Sequence, residues 1–316
     1  MQIEIKPRDI RIGWLQKIGP LLGLGGIILV LTVISREFLS ISNLFNVLRQ
    51  ISINALLGFG MTFVILTGGI DLSVGSILAL SGALTAGMLA GGTDPLLAAF
   101  AGLTAGALMG AANGVLVTKG KVAPFIATLA TMTVFRGLTL VYTEGRPISY
   151  DNELFSMVGK GYFLEIPIPV IWMLVSFGIL WFVLRHTPFG RRVYAIGGNE
   201  EAAVLSGVRT EWVKTGVYTI SGLFAALAGI ILTSRLNSAQ PTAGASYELD
   251  AIAAVVLGGT SLTGGKGWIA GTLIGAMIIG VLDNGLNLLN VSSFYQQVVK
   301  GGVILLAVLL DHSQKS

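Results

Sequence analysis

Long stretches without a charged residue dominate this sequence and leave it few possible folds. Between charges, the runs Ile18–Ser35, Gln50–Ile70 and Leu72–Thr93 hold 18, 21 and 22 residues. Pro95–Thr118, Ile166–Leu184 and Thr215–Ser234 hold 24, 19 and 20. A helix needs roughly 20 apolar residues to cross the hydrocarbon core of a bilayer. Inside that core each segment must satisfy its own backbone hydrogen bonds, which a helix does. Val122–Tyr142 spans too, with Arg136 inside it, and Ala251–Leu310 is apolar apart from Lys266, Asp283 and Lys300. Gly and Asn clusters at 264–267 and 283–290 divide that last stretch into three further crossings. The sequence therefore predicts an all-α integral membrane protein of about ten transmembrane helices, its partner surface being the lipid bilayer.

Composition narrows the function. Charged residues make up 11% of the chain and hydrophobic ones 53%, against about 25% charged in soluble domains. This excludes a water-soluble enzyme, a nucleic-acid binder and a disordered chain. With no cysteine there is no thiolate metal or redox chemistry, and two histidines, His186 and His312, make no zinc site. No cofactor, metal or catalytic residue is expected. Gly259–Gly267 looks like a phosphate loop, but its glycine-to-lysine spacing is one residue too long and Gly267 stands where Ser or Thr would hold magnesium. The first run reads as a retained helix, because Ser35-Arg36-Glu37 follows it instead of a small-residue cleavage site. With ten spans, 13 of the 20 Lys and Arg residues fall in segments on the side of the N-terminus and 5 on the other. The excess of positive charge marks the cytoplasmic side, so both termini are expected there.

The segment Gly68-Gly69-Ile70-Asp71-Leu72-Ser73-Val74-Gly75 has a counterpart in Gly258-Gly259-Thr260-Ser261-Leu262-Thr263-Gly264-Gly265. Two halves offset by five spans would be inverted relative to one another, about 40–145 and about 214–312, within one transmembrane domain covering 1–316. Gly102, Gly106, Gly110 and Gly114 recur at four-residue spacing, as do Gly267, Gly271 and Gly275. That spacing puts them on one helix face, where a neighbouring backbone can approach closely. Asp71 either caps the helix that follows it or lines a pathway. Arg136 and Lys300 are expected to bond exposed carbonyls or to snorkel, and Asp283, Asn284, Asn287 and Asn290 to form a turn at a helix end.

The longest loop on the positive side covers 185–214. Within it Asn199 can cap a short helix that opens with Glu200 and Glu201 and stops at Gly207. The run Gly197-Gly198-Asn199-Glu200-Glu201-Ala202-Ala203-Val204-Leu205-Ser206-Gly207 resembles the coupling segment of bacterial ABC importer permeases of the simple-sugar class. Gly60–Ser76 resembles that family's most characteristic stretch, and Leu236–Gly244 leading into Tyr247–Ser261 closely resembles its ribose permeases. The resemblance covers about 35–311.

The resemblance implies a homodimeric permease docked on an ATPase with two nucleotide-binding domains inside the cell and a sugar-binding protein outside. Gly198, Asn199, Glu200, Glu201, Ala202, Ala203 and Gly207 would couple it to the ATPase. It implies import of ribose, or of another pentose, hexose or small polyol, through the bacterial plasma membrane by alternating access. ATP hydrolysis would belong to the partner. Six polar residues in or beside the spans, Asn54, Thr62, Asp71, Asn113, Asn237 and Gln240, are candidates for the translocation pathway. An ion-coupled secondary transporter and a scaffolding subunit are the rivals, and the paucity of intramembrane carboxylates speaks against the first.

Overall fold

The computed structural model describes residues 7–313. The chain runs through α1 (Pro7–Ile34), α2 (Ile41–Leu66), α3 (Val74–Ala90), α4 (Pro95–Thr118) and α5 (Pro124–Thr143). A loop segment follows, with β1 (Ile148–Ser149), α6 (Glu153–Lys160), β2 (Tyr162–Phe163) and β3 (Ile166–Pro167). Next come α7 (Ile168–His186), α8 (Pro188–Gly198), α9 (Glu200–Leu205) and α10 (Thr210–Leu236). β4 (Ser238–Ala239), α11 (Tyr247–Leu257), α12 (Ile269–Leu288) and α13 (Ser293–Ser313) complete it. α2, α4, α5, α7, α10 and α12 are each long and apolar enough to cross a membrane. Large apolar side chains such as Leu97 and Phe100 of α4, Val134 and Val141 of α5 and Ile179 and Phe182 of α7 lie exposed. In water so many would drive aggregation; against acyl chains they are the matching surface. The protein is an all-α membrane protein.

Local chemistry sets many of the ends. The Asp94 carboxylate accepts from the amides of Leu96 (2.9 Å) and Leu97 (3.2 Å), and Pro95 occupies the first helical position, where no amide is missed. α2 starts nine residues before the uncharged run that announces it. Arg49 is accommodated inside it because its guanidinium stacks 4.9 Å from the centre of the Tyr162 ring. The loop between α5 and α7 is pinned to the end of α10: β1 pairs antiparallel with β4, Ile148 opposite Ala239, and the Tyr150 hydroxyl donates to the Thr233 carbonyl at 3.0 Å.

α2 is the axis of the molecule, buried without interruption from Ile51 to Leu66. α10 lies along it and carries α4 on its other side. The four-residue ladder works as the spacing suggests: a Cβ on Gly106 would collide with Ala226, one on Gly110 with the Tyr218 carbonyl and one on Gly114 with the backbone of Thr215. Gly102 sits against Ser81 and Thr85 of α3. In the second ladder, Gly271 and Gly275 seat α12 against Gly258 and Ala254. Gly267 departs from the expectation. It lies in the link before α12 with φ +157°, packed on Thr260, so it is not a helix-face glycine.

The stretch from 251 onward divides into three helices as expected, with a first break that includes 264–267 and a second just past Leu288. The first helix is short, however, and the second division comes later than the polar cluster suggests. α11 has 11 residues, a rise of about 16 Å, half the hydrocarbon thickness. Its chain breaks at 258–268, while α12 continues straight through Asp283 and Asn284. Both side chains have partners across the bundle, so no turn is needed to solvate them. Lys300 reaches Asp283 at 3.0 Å and Asp250 at 2.9 Å, and Asn284 exchanges two amide hydrogen bonds with Asn43 (2.8 and 3.0 Å). Arg136 does bond exposed carbonyls, those of Pro241 (3.1 Å) and Ala243 (2.6 Å).

Candidate functional site: two recesses and two broken helices

α2 and α11 stop in the same way. Gly68 (φ +78°) and Gly259 (φ +84°) take the left-handed conformation that ends a helix with least strain. Gly69 then donates to the Val64 carbonyl (3.1 Å), and Thr260 to the Val255 carbonyl (3.2 Å), each closing a six-residue end loop. The two breaks touch: the Gly265 amide donates to the Leu66 carbonyl at 3.0 Å. α8 presses on both. A Cβ on Gly197 would collide with the Leu66 carbonyl and the Gly265 amide, and the Tyr194 hydroxyl donates to the Gly267 carbonyl at 2.8 Å. Burial pushes the Tyr194 phenol above its ordinary pKa, so it stays the donor.

Directly after α8, Asn199 caps α9, its side chain accepting from the Ala202 amide at 2.9 Å. Glu200 and Glu201 occupy the first turn, and Gly207 (φ +80°) lets the chain turn so that Val208 can donate to the Ala203 carbonyl (3.0 Å). Ala203 is buried beneath the helix, while Val204, Leu205 and nearby Trp212 are exposed. Glu200 is held by Lys214 at the start of α10, 2.6 Å away.

Two recesses open at opposite ends of the bundle. Toward α9, adjoining cavities of 450 and 320 Å³ share Val117, Pro124, Glu200 and Lys214, and the second reaches Thr67, Gly68, Gly69 and Tyr218. Toward α6, a cavity of 450 Å³ lies between α2, α10 and α11. Between them α2 is packed solid. From Asn54 to Thr67 is about 20 Å of helix, and Leu56, Leu57, Phe59, Met61, Phe63, Val64, Ile65 and Leu66 along it are all at most 1% exposed.

Beside the α2 break lies a buried polar knot. One Asp71 oxygen accepts from the Ser73 amide (3.0 Å) and hydroxyl (2.6 Å), and the other from the Ser221 hydroxyl of α10 (2.8 Å). Asn113 of α4 donates to the Ser73 hydroxyl at 2.7 Å, and Thr128 of α5 donates to the Ile70 carbonyl at 3.0 Å. The irregular segment at 67–73 is thus held by side chains from three helices, Ser221 on the Asp71 carboxylate, Asn113 on the Ser73 hydroxyl and Thr128 on the Ile70 carbonyl.

A family described as the permease component of the branched-chain amino acid transport system matches residues 43–308. The chain belongs to that permease family. It is 64% identical over 318 residues to the ribose import permease protein RbsC of Bacillus subtilis (strain 168), covering 100% of this chain and 99% of the relative. It is 53% identical over 306 residues to the protein of that name from Escherichia coli (strain K12), covering 96% and 95%. It is 43% identical over 310 residues to the D-allose transport system permease protein AlsC of the same strain, covering 98% and 95%. No solved structure matches. As a permease component the chain is a transport subunit and not itself a catalyst.

In this permease the six polar residues singled out in or beside the spans fall into separate places. Asn54 and Gln240 line the recess toward α6. Asp71 and Asn113 belong to the knot, and Thr62 is buried against Thr272 of α12, hydroxyl to hydroxyl at 2.7 Å. Asn237 ends α10 with φ +53° and accepts from the Ser156 hydroxyl (2.9 Å). Asp71 does not cap α3 in the ordinary sense, since it supports the residue before that helix. Sequence reasoning missed Ser221, Tyr218, Arg235 and Tyr247, whose neighbours lie far along the chain. It also passed over Gly197 as a contact, although the Gly197-Gly198 doublet was the available signal.

Proposed function

We propose that the chain is the membrane-spanning subunit of an ATP-driven importer of ribose in the bacterial inner membrane. The observation that carries this reading is 64% identity, end to end, with a ribose import permease. An ABC ATPase would dock at the α9 end and a soluble sugar-binding protein at the α6 end. A second copy of the chain would complete a homodimeric pathway.

Ten helices would cross or enter the membrane: α1 to α5, α7, and α10 to α13. Lys119, Lys121, Arg185, Arg191, Arg192 and Lys214 near the α9 end support placing it, with both termini, in the cytoplasm. α2 and α11 run in the same direction and break side by side. Their matched endings are therefore a like-oriented correspondence, and an inverted repeat of about 40–145 on about 214–312 would have to rest on other helix pairs.

Residues 198–207 would form the coupling helix, with exposed Val204, Leu205 and Trp212 as apolar docking surface and Glu201 free to meet the ATPase. The α8 contacts would carry its displacement to both breaks. The packed length of α2 between the recesses is a septum, which alternating access would open to one side at a time. Asn54 and Gln240 would lie on the outward portion of that route, while Asp71, Asn113 and Thr62 would brace its walls.

The test is labelled ribose uptake into proteoliposomes holding this permease, its ATPase and its binding protein. Uptake that needs ATP and all three components is expected. Uptake driven by an ion gradient without ATP overturns the reading.

A further inference from the structure

We infer that the recess between α2, α10 and α11 is a monosaccharide-binding station, at which the sugar rests before the septum opens; this rests on the importer reading above. Its volume of 450 Å³ falls within the range of about 300–1,000 Å³ usual for small-molecule sites. A pentose leaves room there for several waters, each about 30 Å³. The walls carry what a neutral polyhydroxylated ring needs. Gln50, Asn54 and Gln240 offer carboxamides, which both donate and accept. Arg235 presents a donor fork suited to adjacent oxygens, and Tyr247 an aromatic ring for the C–H face of the sugar.

Asn54 is the deciding residue. The residue as a whole is 4% exposed, its carboxamide makes no hydrogen bond among the described residues, and what is exposed of it opens onto the recess. An amide held in a packed helix and unpaired within the protein is free to bond what enters the recess. Its neighbours are held in place for the task. Gln50 donates to Asp283 (3.4 Å), which Lys300 fixes at 3.0 Å, and Gln240 donates to the Ser238 hydroxyl (3.0 Å), leaving its carbonyl free to accept. Of the lining side chains Arg235 alone carries a formal charge, and no carboxylate lines the recess to favour a cation. The contacts are few, so the sugar is held weakly, as passage demands.

The experiment compares wild type with Asn54→Leu and Gln240→Ala in the full transporter. It measures uptake of labelled ribose, arabinose, xylose, allose and glucose alongside ATP hydrolysis stimulated by loaded binding protein. Saturation-transfer NMR on the permease in nanodiscs reads direct contact with the same sugars. For whichever sugar the wild type imports, uptake should fall about tenfold in Asn54→Leu, in keeping with the loss of a buried polar contact. Stimulated ATP hydrolysis should persist, which shows that the assembly is intact, and the NMR signal should weaken in both variants. Import of another sugar in place of ribose, with the same losses, corrects the ribose reading and supports the station. Wild-type uptake and NMR signal in both variants overturn the station and leave the importer reading standing. A wild type that imports none of the five overturns both.

Discussion

Gly265 donates its backbone amide to the carbonyl of Leu66 across a 3.0 Å hydrogen bond, joining the breaks of two helices 199 residues apart in sequence. Gly197 is wedged against both atoms, where even one methyl group has no room. α8 thus meets both broken helices through the backbone of Gly197, beside the Tyr194 hydrogen bond to Gly267, and in the coupling proposed above a shift of α9 would reach them with little slack.

Gly197→Val tests this contact. Overpacking against backbone typically costs about 1–3 kcal/mol, and here it must push α8 away from the breaks. Thermal unfolding in detergent should show the loss. ATP-dependent uptake should fall further than expression does, since the displaced contact lies between α9 and the septum.

Glu201→Arg leaves the fold alone, because Glu201 is exposed on α9 and makes no ion pair among the described residues. Reversing its charge also loses an acid at a helix N-terminus, worth about 0.3–1 kcal/mol. The variant should reach the membrane at wild-type levels while ATP hydrolysis is uncoupled from uptake. Unchanged ribose uptake would remove α9 from the coupling role.

Lys300→Met strands two carboxylates. Lys300 is shared by Asp250 and Asp283, whose side chains are 6% exposed, and removing one partner of a buried pair costs about 3–5 kcal/mol. The melting temperature should drop accordingly. The triple variant with Asp250→Asn and Asp283→Asn should recover most of the loss, since neither of the two positions that Lys300 bridged then carries a charge.

Asp71→Ala separates bracing from transport. It leaves the Ser73 amide and the Ser73 and Ser221 hydroxyls without their acceptor, at about 1–3 kcal/mol for each group left unsatisfied. Stability should fall sharply, and by more than in Ser221→Ala, which leaves one Asp71 oxygen unpaired at about 1–3 kcal/mol. A stable Asp71→Ala protein that no longer transports would instead place the carboxylate on the sugar's route.

Some of this was written locally. A helix signals itself through its next few residues, so the apolar runs, the Asn199 cap with Gly207 eight residues on and the Gly102–Gly114 spacing could all be read directly from the chain. The membrane class follows from the same local fact: uncharged runs of about 20 residues have one stable solution in lipid. Other features resisted that reading for a physical reason. Arg49 and Asp283 look like helix ends because an isolated charge needs water; each lies within a helix because a distant partner, Tyr162 or Lys300, replaces the water.

Asn54, Thr62, Asp71 and Asn113 are alike in sequence, each a polar residue in or beside an apolar span. Their tasks part only when the helices pack. Ser221 stands 150 residues from the carboxylate it bonds, and Thr272 stands 210 from Thr62. A polar side chain in a membrane takes whatever partner the neighbouring helix brings, and where none is brought, as at Asn54, a recess is left. The sequence by itself determined that this chain would cross a membrane as helices and that Gly102, Gly106, Gly110, Gly114, Gly271 and Gly275 would let them approach, though not Gly197. The tertiary structure alone decided which polar groups are spent on one another and which are left facing open space, because that depends on contacts between helices that the chain order does not contain.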